Sequence, residues 1–135
     1  MRLYILIIVL FIFAISIRCS NLDEASMRLE VDNSHHFKGF FHVQNSENIT
    51  GNVTLNISNG KYTCFTNLPW GRGAGKISVD GQSIYFEDTL FLIIPALYGP
   101  TYTLSGIYEY EYNRERLLIW RDQDNLDVEY ELFIE

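Results

Sequence analysis

The chain has 135 residues, enough for one ordinary domain and too few for two. Aromatic residues make up 15% of it, which excludes a disordered chain and allows a real core. With 17 acidic against 10 basic residues and a net charge of −7, it lacks the electrostatic footprint of a protein that binds nucleic acid or anionic lipid.

Met1-Arg2 is a basic tip, and residues 3–17 form an apolar run. That run is shorter than the roughly 20 residues of a spanning helix, so residues 1–18 read as a secretory signal peptide. An uncleaved N-terminal anchor is the alternative, because Arg18-Cys19-Ser20 makes a poor small-residue cleavage site. Cys19 closes the run ahead of Asp23 and Glu24, a layout that resembles the lipidated cysteine of a bacterial lipoprotein, although Arg18 stands where that signal has a small residue. The expected location is secreted, periplasmic or cell envelope, with membrane contact only through a lipid or the uncleaved anchor. Losing residues 1–18 removes Arg2 and Arg18 and no acid, so the mature charge becomes −9. Cys64 is the other cysteine; it pairs with Cys19 if that residue survives unmodified, and otherwise reads as a small buried side chain alternating with Tyr62.

Residues 19–27 read as a polar linker and residues 28–135 as a single β domain. Leu29 and Val31 alternate with Arg28, Glu30 and Asp32 as a weak first strand. In 35–44, Phe37, Gly39, Phe41 and Val43 share a face. After a turn at 45–48 comes the most regular alternation in the chain, with Ile49, Gly51, Val53, Leu55 and Ile57 opposed to Thr50, Asn52, Thr54, Asn56 and Ser58. Asn59-Gly60 is a strong hairpin signal, since both positions tolerate positive φ, and residues 61–67 return. Residues 68–75, L-P-W-G-R-G-A-G, break the pattern and read as a loop. A second hairpin is expected around Asp80-Gly81. Residues 90–94 are a continuous apolar run ended by Pro95, either a fully buried strand or a hydrophobic lip.

The stretch 101–112 is the most informative. Tyr102, Leu104, Gly106, Tyr108, Tyr110 and Tyr112 share one face and Glu109 and Glu111 lie on the other, as in a half-buried antiparallel strand. Two further strands follow, 116–121 and 126–134. The turn between the tyrosine strand and the next sets a register. A two-residue turn at Asn113-Arg114 puts Leu117 and Ile119 beside the tyrosines; a three-residue turn, Asn113 to Glu115, puts Leu118 and Trp120 there. The second is expected, because it buries the tryptophan. No window has helical periodicity with caps. The whole reads as an all-β antiparallel up-and-down meander of eight to nine strands, closed or nearly closed into a small barrel that hides its edges, with a β-sandwich as the alternative.

An early Phe37-x-Gly39-x-Phe41 in a small acidic secreted meander resembles the lipocalin-like (calycin-type) barrels, whose first strand opens with Gly-x-Trp where this chain has Gly39-Phe40-Phe41. Residues 37–48 also resemble the opening of intracellular fatty-acid-binding proteins, but that family continues into a helical pair and this chain into a strand. The layout is similar to small secreted bacterial barrel proteins with no assigned activity. The resemblance implies a barrel and, by family habit, a small hydrophobic ligand.

Residues 71–76, G-R-G-A-G-K, lack the spacing, the Ser/Thr and the helix of a phosphate loop, and read as a mobile loop at a barrel mouth. His35 and His36 point to opposite faces, and His36 and His42 are about 20 Å apart along a strand, so no metal site is expected. Glu109 with Glu111 and Glu129 with Glu131 are the regular carboxylate pairs; facing out, and near Arg114, Arg116 and Arg121, they read as a solvated face rather than as acid–base machinery. No Gly-x-Ser-x-Gly elbow is present. Asn48, Asn52 and Asn56 head three glycosylation sequons, meaningful in a eukaryotic host. The expected function is therefore non-enzymatic and without cofactor: a barrel whose interior, lined by Phe37, Phe41, Tyr108, Tyr110, Trp120 and Tyr130 with Trp70 in a gating loop, takes a small hydrophobic ligand. The alternative is a structural or protein-interaction module with a filled core, contacting its partner through residues 90–98 or the Trp70 loop.

Overall fold

In–out alternation at every second residue leaves each strand with one apolar face, and an antiparallel meander buries those faces together only by curling. The computed structural model describes residues 26–44, 49–68, 71–90, 104–123 and 126–135. They form eight strands: β1 (His35–Gln44), β2 (Ile49–Ser58), β3 (Lys61–Thr66), β4 (Arg72–Asp80), β5 (Ser83–Asp88), β6 (Gly106–Tyr112), β7 (Arg116–Gln123) and β8 (Leu126–Ile134). Each pairs antiparallel with the next, and β8 returns to β1 to close the barrel. The closing seam runs from Phe37 opposite Ile134 to Gln44 opposite Asp127. The closed meander agrees with the expectation from sequence and the sandwich alternative falls away.

Local chemistry explains the corners. Asn59 (φ 52°) and Gly60 (φ 67°) both take the left-handed conformation that a two-residue hairpin loop of this hand demands. The second hairpin is displaced by one residue: Asp80 pairs with Ser83, so its tip is Gly81-Gln82. At Gly39 the backbones of β1 and β8 approach so closely that a Cβ would run into the carbonyl oxygen of Glu131, which is why glycine interrupts an otherwise aromatic strand.

Three expectations are corrected. First, residues 28–32 form no strand. With β1 and β8 already paired there is no free edge for them, and they lie instead across the barrel end where β1 begins. There Met27 N donates to Tyr112 O (2.7 Å), Gly60 N to Val31 O (3.0 Å) and Asn59 N to Asp32 O (3.2 Å). Leu29 is wholly buried and plugs that end. Second, the glycine-rich stretch is not all loop: β4 begins at Arg72, and Gly73 and Gly75 pair with Cys64 and Tyr62 in the sheet.

Third, β7 turns Leu117 and Ile119, not Leu118 and Trp120, toward the tyrosines, and its two-residue turn falls at Arg114-Glu115, one residue beyond Asn113-Arg114. Tyr110 faces Ile119 and Tyr112 faces Leu117, while Trp120 lies opposite Glu109 on the outer face. The turn is responsible. Asn113 Oδ1 accepts from the backbone N–H of Glu115 (3.2 Å) and Arg116 (2.7 Å), an Asx-type turn. Arg114 adopts φ 74° and Asn113 N donates to Arg116 O at 3.1 Å. This local bonding of a short amide side chain sets the loop length and outweighs burial of one indole.

Candidate functional site

The interior is built from the inward positions of every strand. A run of rings crosses it: Tyr62 to Phe86 at 4.9 Å, Phe86 to Tyr108 at 5.9 Å, Tyr108 to Tyr130 at 6.3 Å and Tyr130 to Phe41 at 5.8 Å between centroids. The first three contacts are edge-to-face, the arrangement in which a positive ring edge meets a negative ring face. Phe37 and Tyr112 make a further edge-to-face contact at 6.3 Å. Around the rings pack Leu29, Leu55, Ile57, Ile84, Leu104, Leu117, Ile119 and Leu132, each 0–1% exposed.

The polar ends of these side chains are handled unequally. Tyr62 Oη donates to Leu104 O at 2.7 Å, and Tyr108 Oη accepts from Ser105 N at 3.5 Å. Tyr110 Oη receives Leu29 N at 3.4 Å from the plug. Tyr130 Oη is buried with no hydrogen-bond partner among the described residues. Arg121 has the inward parity of Leu117 and Ile119; its guanidinium sits 4.4 Å from the centroid of the Tyr108 ring and donates to Ser105 O at 3.1 Å.

Burial decides the acid–base character of the interior. It pushes the Tyr62 and Tyr108 hydroxyls upward, the second opposed by the Arg121 charge, and raises Tyr130 well above its ordinary value. The Cys64 thiol, reduced and fully buried, is pushed up to about 12 by desolvation. A thiol so protonated is no nucleophile near neutral pH.

Of the residues expected to meet a ligand, Phe37, Phe41, Tyr108, Tyr110 and Tyr130 are brought together inside the barrel. Trp120 is separated from them by the register. Trp70 lies outside the described residues, as do residues 91–98, Cys19 and Asn48. Asn52 is exposed on the outer face of β2, whereas Asn56 is half-buried, bonded to the His36 ring, and donates to Thr63 Oγ1 at 3.2 Å. Sequence reading left Tyr62, Phe86 and inward-facing Arg121 out of the site. Their alternation with Cys64, Ile84 and Ile119 was the available signal, and Arg121 was masked by assigning it to the outer carboxylates.

The outer face of β6, β7 and β8 carries those carboxylates. Glu109 and Glu129 lie directly opposite Trp120 on its two sides, and Glu111 and Glu131 flank Leu118 in the same way. One step further along, Asp122 faces Asp127. Arg116 reaches Glu131 at 3.3 Å, but Glu109, Glu111 and Glu129 form no ion pair among the described residues. At the end of β7 and β8 a cleft of about 340 Å3 is lined by His42, Trp120, Arg121, Asp122, Asp127, Val128 and Glu129. No three of the described His, Cys, Asp or Glu side chains converge closely enough to hold a metal ion.

Among known proteins, no family model, no curated protein and no solved structure matches the chain.

Proposed function

We propose that this protein is an exported, lipocalin-like β-barrel without enzymatic activity that serves as an interaction module through its outer surface, its interior being a structural core. The observation that carries this reading is the continuous run of rings from Tyr62 to Phe41, spaced 4.9 to 6.3 Å, which crosses the interior that a small apolar ligand would need. An eight-stranded barrel has an interior only just wide enough for its own side chains, and here the side chains are among the largest available. The absence of catalysis is supported by chemistry: the inward thiol is held protonated and the carboxylate pairs stand on the outer face. Export rests on the apolar leader at residues 3–17.

A small hydrophobic ligand inside the barrel is the competing reading, and the partnerless Tyr130 hydroxyl favours it, because a guest with an acceptor would satisfy that group. Titrating the full chain with N-phenyl-1-naphthylamine separates the two. A filled core gives no saturable one-to-one probe fluorescence; a saturable signal that Phe41→Trp abolishes would overturn the proposal. Mass spectrometry of the N-terminus from envelope and medium fractions tests export, and an intact cytoplasmic Met1 would refute it.

A further inference from the structure

We propose that Asn52 is a glycosylation site: its side-chain nitrogen carries an N-linked oligosaccharide whose first sugar lies over the exposed rings of Phe40 and Phe65. This rests on the export reading alone and is independent of what the outer surface or the interior of the barrel binds.

Sequence and fold single out this asparagine. Asn52-Val53-Thr54 is an acceptor sequon, and strand alternation turns Asn52 and Thr54 to the outer face of β2. Asn52 is exposed, and among the described residues its carboxamide makes no hydrogen bond. Only its main chain is engaged, N donating to Asn67 Oδ1 at 2.8 Å and O accepting from Asn67 N at 3.2 Å. Asn56-Ile57-Ser58 is a sequon too, with a different fate. Its carboxamide is half-buried between His36 of β1 and Thr63 of β3, each directly opposite it. Its oxygen is bonded to the His36 ring and its nitrogen donates to Thr63 Oγ1 at 3.2 Å. A sugar on that nitrogen would force it out of a place it already fills.

The neighbours of Asn52 give the sugar a seat. Phe40, 61% exposed, is directly opposite on β1. Phe65, 48% exposed, is opposite Thr54 on β3 and so diagonal to Asn52. Directly opposite side chains have Cβ atoms about 5 Å apart and diagonal ones about 7–8 Å, so a pyranose on Asn52 reaches both rings. The C–H groups of a pyranose are slightly positive and pack on the negative face of an aromatic ring. Two large rings left in water on either side of one carboxamide call for a cover, and a bulky, soluble glycan on that carboxamide supplies it. The donor is an oligosaccharide joined to a membrane lipid through diphosphate. Asn52 Nδ2 attacks its anomeric carbon, and the new N–C bond replaces the C–O bond. The lipid diphosphate leaves with that electron pair, and the amide proton passes to a base of the transferase.

The test begins with protein isolated from the cells that make it. Peptide-N-glycosidase in heavy-oxygen water converts an occupied asparagine to labelled aspartate, and fragment spectra place the label. Label at Asn52 and none at Asn56 is the expected result; no label at Asn52, or equal label at both, overturns the proposal. The seat is read on the full chain secreted from cultured insect cells, with Asn48→Gln removing the neighbouring sequon. There Asn52→Gln should abolish the glycan and lower Tm by about 3 °C or more. In the background Phe40→Ala with Phe65→Ala, still glycosylated, adding Asn52→Gln should lower Tm by less than half as much. An equal loss with and without the rings overturns the placement of the sugar over them. Circular dichroism matching the parent establishes that each variant is folded. An exported, trimmed chain without sugar refutes this proposal and leaves export standing, whereas a cytoplasmic chain with intact Met1 sinks both.

Discussion

The Tyr130 hydroxyl offers the sharpest check on how this core is built. Tyr130 is fully buried, its ring contacts Phe41 and Tyr108, and its oxygen has no partner among the described residues. In the unfolded chain that hydroxyl is hydrated, so folding strips it of water without return, at a cost of about 1–3 kcal/mol. Tyr130→Phe removes the oxygen and keeps the ring contacts. The fold should gain about 1–2 kcal/mol, and with a domain of this size roughly 5 °C or more in Tm. Tyr62→Phe is the matched control. Its hydroxyl donates to Leu104 O at 2.7 Å, so deletion leaves a buried carbonyl unsatisfied and should lower stability by about 1–3 kcal/mol. Urea denaturation of the full chain, with thermal melts alongside, reads both. Opposite signs are expected. A neutral or destabilising Tyr130→Phe would refute the reasoning, because it would mean that the hydroxyl is bonded after all.

Alkaline stability follows from Cys64. With its thiol raised from the ordinary 9.0 to about 12 by burial, the unfolded chain loses that proton first, so the stability contributed is complete below pH 9 and falls between pH 9 and 12. This group alone should supply a slope approaching roughly 1.4 kcal/mol per pH unit in urea melts; Cys64→Ala should remove that share, while the buried tyrosines, raised from their ordinary 10.0, keep the slope that sets in as pH approaches 10. Gly39→Ala should cost about 1–3 kcal/mol or more in the same assay, since the new methyl meets backbone of β8 that cannot step aside. Leu29→Ala should cost about 2–4 kcal/mol, as for any wholly buried leucine; a change near zero would mean that the plug is not part of the cooperative unit.

Fold class was legible because period-two alternation and turn chemistry agree along most of the chain. The sequence 49–63, with a two-faced strand running into Asn59-Gly60, specifies its hairpin outright, and Tyr108, Tyr110 and Tyr112 could only have faced inward. What sequence reading missed shares a cause: tertiary closure decides the fate of segments whose local pattern is short. Leu29 and Val31 read as a strand, but the seam between β1 and β8 leaves no edge to join. Trp120 was assigned to the core because an indole is large and apolar, a preference overridden by two hydrogen bonds to Asn113 Oδ1. Arg121 was read as an outward counter-ion for the same mistaken parity, although a cation stacked on an inward tyrosine is recognisable once register is known. The outer position of Trp120 was therefore invisible from the sequence, since it depends on which residue of β7 stands between Glu109 and Glu129.

The seam has a consequence for how the molecule comes into being. The strand nearest the start of the domain finds its second neighbour only in Asp127–Ile134, after the six strands between them have been made. Until those residues leave the ribosome the sheet has two unsatisfied borders, and the nascent polypeptide stays open, slow to fold and prone to pair with copies of itself. A protein shortened before β8 should therefore accumulate as insoluble material rather than as a smaller barrel.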